Sequence, residues 1–204
     1  MQNYNKIYFK YGTMFSGKSL NLISTYHTYK HNNKKVLALK PSKDTRDPGV
    51  IKSRMSEETV ECVLYYEEDS LYDVIVNTIE KTGLRPDVIM IDEIQFSTLN
   101  QIDELHRVSK IAPIMCYGLK VSYTGDIFPA IAKLMPLVED ASEIKTTCSM
   151  CNSKATYSLL VRNGKPIYEG AFVNIEGENN KDSYHAVCRE HFFNPTISLY
   201  ETMM

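Results

Sequence analysis

The segment Gly12-Thr13-Met14-Phe15-Ser16-Gly17-Lys18-Ser19 constrains this chain more than any other, because it fits G-x-x-x-x-G-K-[ST] in a setting where that pattern has physical meaning. Ile7 to Tyr11 ahead of it is a short apolar-aromatic run that reads as a strand, and a helical stretch follows from about Ser19 to His31. Between strand and helix, the glycines let backbone N–H groups close around phosphate oxygens, and the helix N-terminus favours negative charge. Lys18 supplies a mobile cation and Ser19 a hydroxyl for Mg²⁺. The alternative, a glycine turn that only caps a helix, is disfavoured by this context. Gly12, Thr13, Met14, Phe15, Ser16, Gly17, Lys18 and Ser19 are therefore expected to bind nucleotide phosphates.

A strand feeding a phosphate loop asks for a particular kind of sheet, and the rest of the chain offers one. Val36 to Leu39, Asp87 to Ile91 and Ile111 to Tyr117 are apolar runs without alternation, and Val60 to Tyr65 reads as one more strand. Helix-like stretches, Leu71 to Lys81 and Leu99 to Lys110, separate them. The expected fold class is α/β, with a mostly parallel sheet covered by helices. After about Asp140 the texture changes to scattered polar residues and glycines, which predicts a smaller second module. The expected organisation is 1–141, a phosphate-loop domain; 142–194, a small domain; and 195–204, a tail.

Composition narrows the function classes. In 204 residues, 23 basic against 25 acidic side chains leave a formal charge of −2, which is no field for holding a polyanion broadly. No stretch approaches the roughly 18 apolar residues of a membrane span, and the start lacks the apolar run of a signal peptide. A cytoplasmic location is expected, with no membrane partner. Five cysteines cannot all pair, so metal binding or simple burial must account for them.

Asp92 and Glu93 follow the buried run Val88 to Ile91, at the carboxyl end of a central strand, where open α/β sheets bind ligands. Taken alone the pair could cap a helix. Beside a phosphate loop, Asp92 is placed to hold Mg²⁺ through water, leaving Glu93 to accept a proton from whatever attacks the γ-phosphate. Water as attacker gives an ATPase, a substrate hydroxyl gives a kinase, and spacing alone leaves both open.

With these residues in place the chain resembles the zinc-containing thymidine kinases found in the animal cytosol and in many bacteria. The resemblance rests on Gly12 to Ser19, Asp44-Thr45-Arg46, Ile91 to Phe96, Cys116 to Leu119, Gly125 to Phe128, Cys148-x-x-Cys151 and Tyr184-x-x-x-Cys188-x-x-His191, in the family's order. It implies ATP-dependent phosphorylation of the 5′-hydroxyl of thymidine and deoxyuridine in nucleotide salvage. It also implies a homotetramer, dTTP as a candidate feedback inhibitor, and a zinc domain bearing a loop that covers the substrate. By the same resemblance Glu93 is the catalytic base, with Arg46 and Lys18 at the transferring phosphoryl group. Met14, Asp44, Gln95, Phe96, Leu119, Tyr123, Phe128 and Tyr184 correspond to nucleoside contacts, joined by the main chain of the loop at Phe172, Val173, Asn174 and Ile175. Backbone C=O and N–H groups suit thymine, whose N3–H donor lies between two carbonyl acceptors. The sequence departs from the family at Ser97, where many relatives carry an aromatic residue, at Asp47, where a tyrosine is common, and in a longer stretch from Gly177 to Ser183.

Cys148, Cys151, Cys188 and His191 form two ligand pairs, the stoichiometry of a closed structural zinc site. The 36 residues between the pairs would make the metal a staple at the base of a long excursion, the expected substrate loop. The alternative is buried thiols and a surface histidine. Cys62 and Cys116, in apolar runs, read as small buried hydrophobes. A competing function, a nucleic-acid-handling ATPase, would want a basic footprint on the small domain. From Ser142 to His191 there are six Lys and Arg against six Asp and Glu, so none exists and no nucleic-acid partner is expected.

Overall fold

A computed structural model of the protein describes residues 4–170 and 182–195. The expected loop contacts Phe172, Val173, Asn174 and Ile175 lie outside the described residues, as do residues 196–204 of the tail. The chain divides into two compact units. The first holds the described residues up to Tyr11, then Gly17–Gly118 and Pro129–Ser142. The second holds Gly12–Ser16, Leu119–Phe128 and the described residues from Glu143 onward.

In the first unit β1 (Ile7–Tyr11) leads through the glycine turn to α1 (Lys18–His31), as the loop pattern predicts. Then come β2 (Val36–Pro41), β3 (Val50–Lys52), β4 (Thr59–Glu61), β5 (Val63–Tyr65) and α2 (Leu71–Thr82). β6 (Val88–Ile91), α3 (Leu99–Val108), β7 (Ile114–Gly118), α4 (Pro129–Leu134) and β8 (Asp140–Glu143) complete it, the last residue of β8 falling to the second unit. The main sheet runs in the order β5-β2-β6-β7-β1-β8, with β5, β2, β6, β7 and β1 parallel to their neighbours. Successive residues of a strand face opposite sides, and every position of β2 and β6 is buried, so both faces are covered. Burying Val88, Ile89, Met90 and Ile91 completely stabilises the unit by about 1.5–3 kcal/mol per side chain. α1 packs against β2 and β7, while α3 lies against α2 and α4. A capping box starts α3: the Gln101 N–H donates to Thr98 Oγ1 at 3.2 Å and the Thr98 N–H to Gln101 Oε1 at 2.9 Å, contributing about 1 kcal/mol. Because β1, β2 and β6 share a direction, the start of α1, the residues after Pro41 and the Asp92-Glu93 pair gather at one edge of the sheet.

Two expectations need correction. The run Val60 to Tyr65 is two strands that change partner at Cys62, whose N–H donates to the Gly49 carbonyl at 2.9 Å, one step beyond the pairing of Val50 with Glu61, before Val63 pairs with Leu39. Its first half pairs antiparallel with β3 in a separate ribbon, and its second half pairs parallel with β2. The run from Ile111 begins as a strand only at Ile114, and the helix before it ends at Val108 rather than Lys110. The Ile111 N–H still closes the turn onto the Val108 carbonyl at 2.8 Å, and Pro113 has no N–H to give.

The second unit is a three-stranded antiparallel sheet, β10-β9-β11, that the sequence reading did not anticipate. It is built from β9 (Tyr157–Arg162), β10 (Lys165–Ile167) and β11 (Asp182–Val187), followed by α5 (Arg189–Phe193). Leu159, Val161, Val187 and Phe192 form its core with Cys148 and Cys188. Tyr157 stacks on Phe192 at 4.3 Å between ring centres. Among the described residues no helix is long and apolar enough to cross a membrane.

Candidate active site

β6 stops at Ile91 and the chain turns sharply, with Glu93 at φ 51°, ψ 39°, a left-handed conformation that costs a side-chain-bearing residue about 1–3 kcal/mol. The turn carries Glu93 out of the strand direction and into a short 3-10 segment, Ile94–Phe96. Asp92 and Glu93 are both buried. Asp92 Oδ2 accepts from Ser19 Oγ at 3.0 Å and its Oδ1 from the Glu93 N–H at 3.1 Å, so the two expected Mg²⁺ ligands meet. Burial and the Glu93 charge push the Asp92 carboxyl up to about 7, against the Ser19 hydrogen bond and Lys18. Burial pulls the Lys18 ammonium below its ordinary value, a shift that Glu93 and Asp92 oppose.

Arg46 arrives from the loop after β2. Its Nη2 donates to Glu93 Oε1 at 2.6 Å and its Nε to Asp44 Oδ1 at 2.6 Å. The other oxygen of Glu93, Oε2, accepts from Gln95 Nε2 at 2.5 Å. Burial by itself would lower the Arg46 pKa, but Glu93 and Asp44 hold it well above the usual arginine value. Burial by itself would raise the Asp44 carboxyl, but hydrogen bonds and charge from Arg46 and Lys40 hold it below the usual range. Asp44 and Gln95, expected at the nucleoside, thus lie against Arg46 and Glu93. Gly118, in the Cys-Tyr-Gly-Leu motif, makes the Gln95 placement possible: a Cβ there would collide with Gln95 Oε1 and press within 3.1 Å of Ile94 Cγ2. Phe96 is half-buried and lines a cavity of about 290 Å³ with Pro41, Lys43, Tyr65 and Tyr66. Ser97 hydrogen-bonds the buried Tyr65 hydroxyl at 2.7 Å.

Lys40 escaped the sequence reading altogether. Its Nζ donates to Asp44 Oδ2 at 3.0 Å and to the carbonyls of Asp47 and Val50 at 2.7 and 3.2 Å. A single charge inside the otherwise apolar run Val36 to Pro41 was the available signal.

In the second unit, the Met14 N–H donates to Ser158 Oγ at 2.9 Å, and Phe15 has φ 60°. Gly12 is required by space, since a Cβ there would sit 2.7 Å from the Ile144 carbonyl. Ser16 Oγ is buried with no hydrogen-bond partner among the described residues. That is a cost unless a ligand oxygen or water engages it. Tyr123 and Phe128 are buried, and Met14, Leu119 and Tyr184 half-buried. The rings of Tyr123 and Tyr184 meet edge-on at 6.4 Å. Gly170 passes so close to the Tyr123 hydroxyl that a Cβ would lie 2.6 Å from it. Arg162 grips Asp182 through two bonds of 2.7 Å, tying β9 to the start of β11. Sequence separation hid that pair.

Cys148, Cys151, Cys188 and His191 come together with their ligand atoms all within 4.8 Å of one another. Cys148 Sγ lies 3.6 Å and Cys188 Sγ 3.2 Å from His191 Nδ1, and Cys151 Sγ lies 3.8 Å from Cys188 Sγ. A tetrahedral ion with Zn–S bonds of about 2.3 Å would space its sulfurs by about 3.7 Å, so the donor set fits zinc in number, kind and spacing. Hydrogen bonds from the backbone and side chain of Ser153 bring the Cys151 thiol down to about 6, which favours a thiolate ligand. Cys116 is fully buried and Cys62 half-buried.

A model of the family described as thymidine kinase matches residues 5–192. The thymidine kinase of Streptococcus agalactiae serotype Ia is 36% identical over 195 residues, which cover 94% of this chain and 99% of that protein. The thymidine kinase of Streptococcus pyogenes serotype M3 is 35% identical over the same shares.

Proposed function

The chain belongs to the thymidine kinase family, and on that premise we propose that it transfers the γ-phosphoryl group of ATP to the 5′-hydroxyl of thymidine, and of deoxyuridine, in nucleotide salvage. The observation that carries the reading is the Glu93 carboxylate: buried at the carboxyl edge of the sheet, aimed by a left-handed turn, and gripped by Arg46 on one oxygen and Gln95 on the other.

ATP would lie on Gly12 to Ser19, with Ser19 and Asp92 as the protein groups for Mg²⁺. Bound there, the ion would supply charge neutralisation on the phosphates, and it would oppose the burial and the Glu93 charge that raise Asp92. Glu93 takes the proton from the 5′-hydroxyl as the new O–P bond forms and the bond to ADP breaks. Lys18 and Arg46 neutralise charge on the transferring group, so the rate gain is mostly positioning and electrostatics. Met14, Phe96, Leu119, Tyr123, Phe128 and Tyr184 enclose the nucleoside, with the main chain at Phe172, Val173, Asn174 and Ile175 reading the base. Cys148, Cys151, Cys188 and His191 hold a structural zinc ion within a domain spanning 142–194, which follows the phosphate-loop domain 1–141 in sequence. A homotetramer, inhibition by dTTP and a cytoplasmic location belong to the same reading.

The test is ADP formation by the purified protein with ATP and Mg²⁺, with and without thymidine, and with DNA as the alternative stimulant. Thymidine-dependent turnover yielding thymidine monophosphate is expected. Turnover stimulated by DNA and indifferent to thymidine would overturn the proposal.

A further inference from the structure

Lys40 is a charged side chain inside a strand whose six positions are all buried, and it is itself 2% exposed. An ammonium offers three N–H donors and no acceptor, and here all three are used: on Asp44 Oδ2, the Asp47 carbonyl and the Val50 carbonyl. Replacing a buried ion pair by packed apolar residues is often neutral or stabilising, so stability alone gives little reason for a lysine here. The geometry supplies another. Asp44 is shared between two cations, with Oδ2 on Lys40 and Oδ1 on Arg46 Nε, and Arg46 in turn presents Nη2 to Glu93 Oε1. Lys40 also tethers the main chain on the far side of Arg46, at Asp47 and Val50, so the segment bearing the arginine is pinned before and after it.

We propose that Lys40 is a positioning residue for phosphoryl transfer: through Asp44 and the carbonyls of Asp47 and Val50 it fixes the Arg46 guanidinium against Glu93. The proposal rests on the reading of Arg46 as the guanidinium that neutralises the transferring phosphoryl group. The contact at Asp47 uses the main-chain carbonyl and so does not depend on that side chain. An arginine free to leave Glu93 would spend part of its time away from the phosphoryl group, and misplacement of a charge-stabilising group by about 1 Å can cost about 10²-fold in rate.

The experiment is a double-mutant cycle on the full chain, measuring kcat and thymidine KM for the wild type, Lys40→Met, Arg46→Ala and the double variant. Lys40→Met should lower kcat by about 10²-fold with thymidine KM changed less than about threefold, because the lost contacts act on the transition state. In the Arg46→Ala background the same substitution should lower kcat by less than about threefold, since nothing is left to position. Lys40→Gln, which keeps two N–H donors for the carbonyls and drops the charge, replaces Lys40→Met in the cycle if the latter does not fold. A large loss in Arg46→Ala combined with an additive loss from Lys40 overturns the positioning role alone. Full turnover in Arg46→Ala overturns the reading of Arg46 itself, and the proposal with it.

Discussion

Around Glu93 the chain supplies both signs of charge, Arg46 and Lys18 against Glu93, Asp92 and Asp44, and the buried Lys40 secures the far end of the network. Around Cys148 it gathers three thiols and an imidazole, a donor set that could hold a metal ion. The first cluster is preorganised by ion pairs that form as the sheet folds. The second has the donors of a metal site, and residues of the short sheet β10-β9-β11 pack on Cys148 and Cys188, so an ion bound there would be coupled to that sheet. Polar clusters of similar burial can therefore respond oppositely to removal of metal and to removal of a single charge.

The sharpest way to break the first cluster is Glu93→Gln, an isostere that cannot accept the 5′-hydroxyl proton. Loss of a general base lowers kcat by about 10²–10⁴-fold, while thymidine binding measured by calorimetry should stay within about threefold. Normal turnover in that variant would remove Glu93 from its role.

The second cluster is broken by Cys148→Ser with Cys151→Ser. The wild type should carry about one zinc per chain by elemental analysis and the variant none. Thymidine affinity should fall by about tenfold, or 1.4 kcal/mol, and ATP affinity by less, because Lys18, Ser19 and Asp92 belong to the first unit, which has its own sheet. Metal-free protein with ordinary thymidine affinity would refute both the zinc assignment and its link to nucleoside binding.

A smaller effect sharpens the contrast through pH. Asp92 holds its proton more tightly in the folded chain, at about 7, than at its ordinary value of 3.8. A raised carboxyl contributes stability that is fully present below about 4 and is lost as pH rises through about 7, where a buried charge forms beside Glu93. In Mg²⁺-free buffer the Tm of the wild type should thus fall between pH 5 and pH 8 by a few degrees more than that of Asp92→Asn. Equal slopes in the two proteins would show that Asp92 ionises as it does in water.

Much of this was legible in the chain as written. The strand, glycine turn and helix around Lys18, the acidic pair after β6 and the two metal-ligand pairs are all short-range patterns, and each stands where its spacing places it. Val60 to Tyr65 defeated the same reasoning because the run changes partner at Cys62, from β3 to β2, a change no local periodicity records. The strand Tyr157–Arg162 went unread because polar and glycine-containing neighbours masked a short apolar run whose partners, β10 and β11, follow later in the chain.

By itself, then, the sequence determined the phosphate loop, the family, the parallel character of the main sheet and the donors for a metal, since backbone preferences and side-chain chemistry act over a few residues. Only the tertiary structure decided that Arg46 meets Glu93 across 47 positions, that Gln95 takes the other carboxylate oxygen in the space Gly118 leaves, and that Lys40 sits beneath them. Arg46 meets Glu93, and Gln95 meets Gly118, because parallel strands, joined by helices, bring the ends of distant segments to one edge; Lys40 and Asp44 are close in sequence, and there burial makes each charge find its partner.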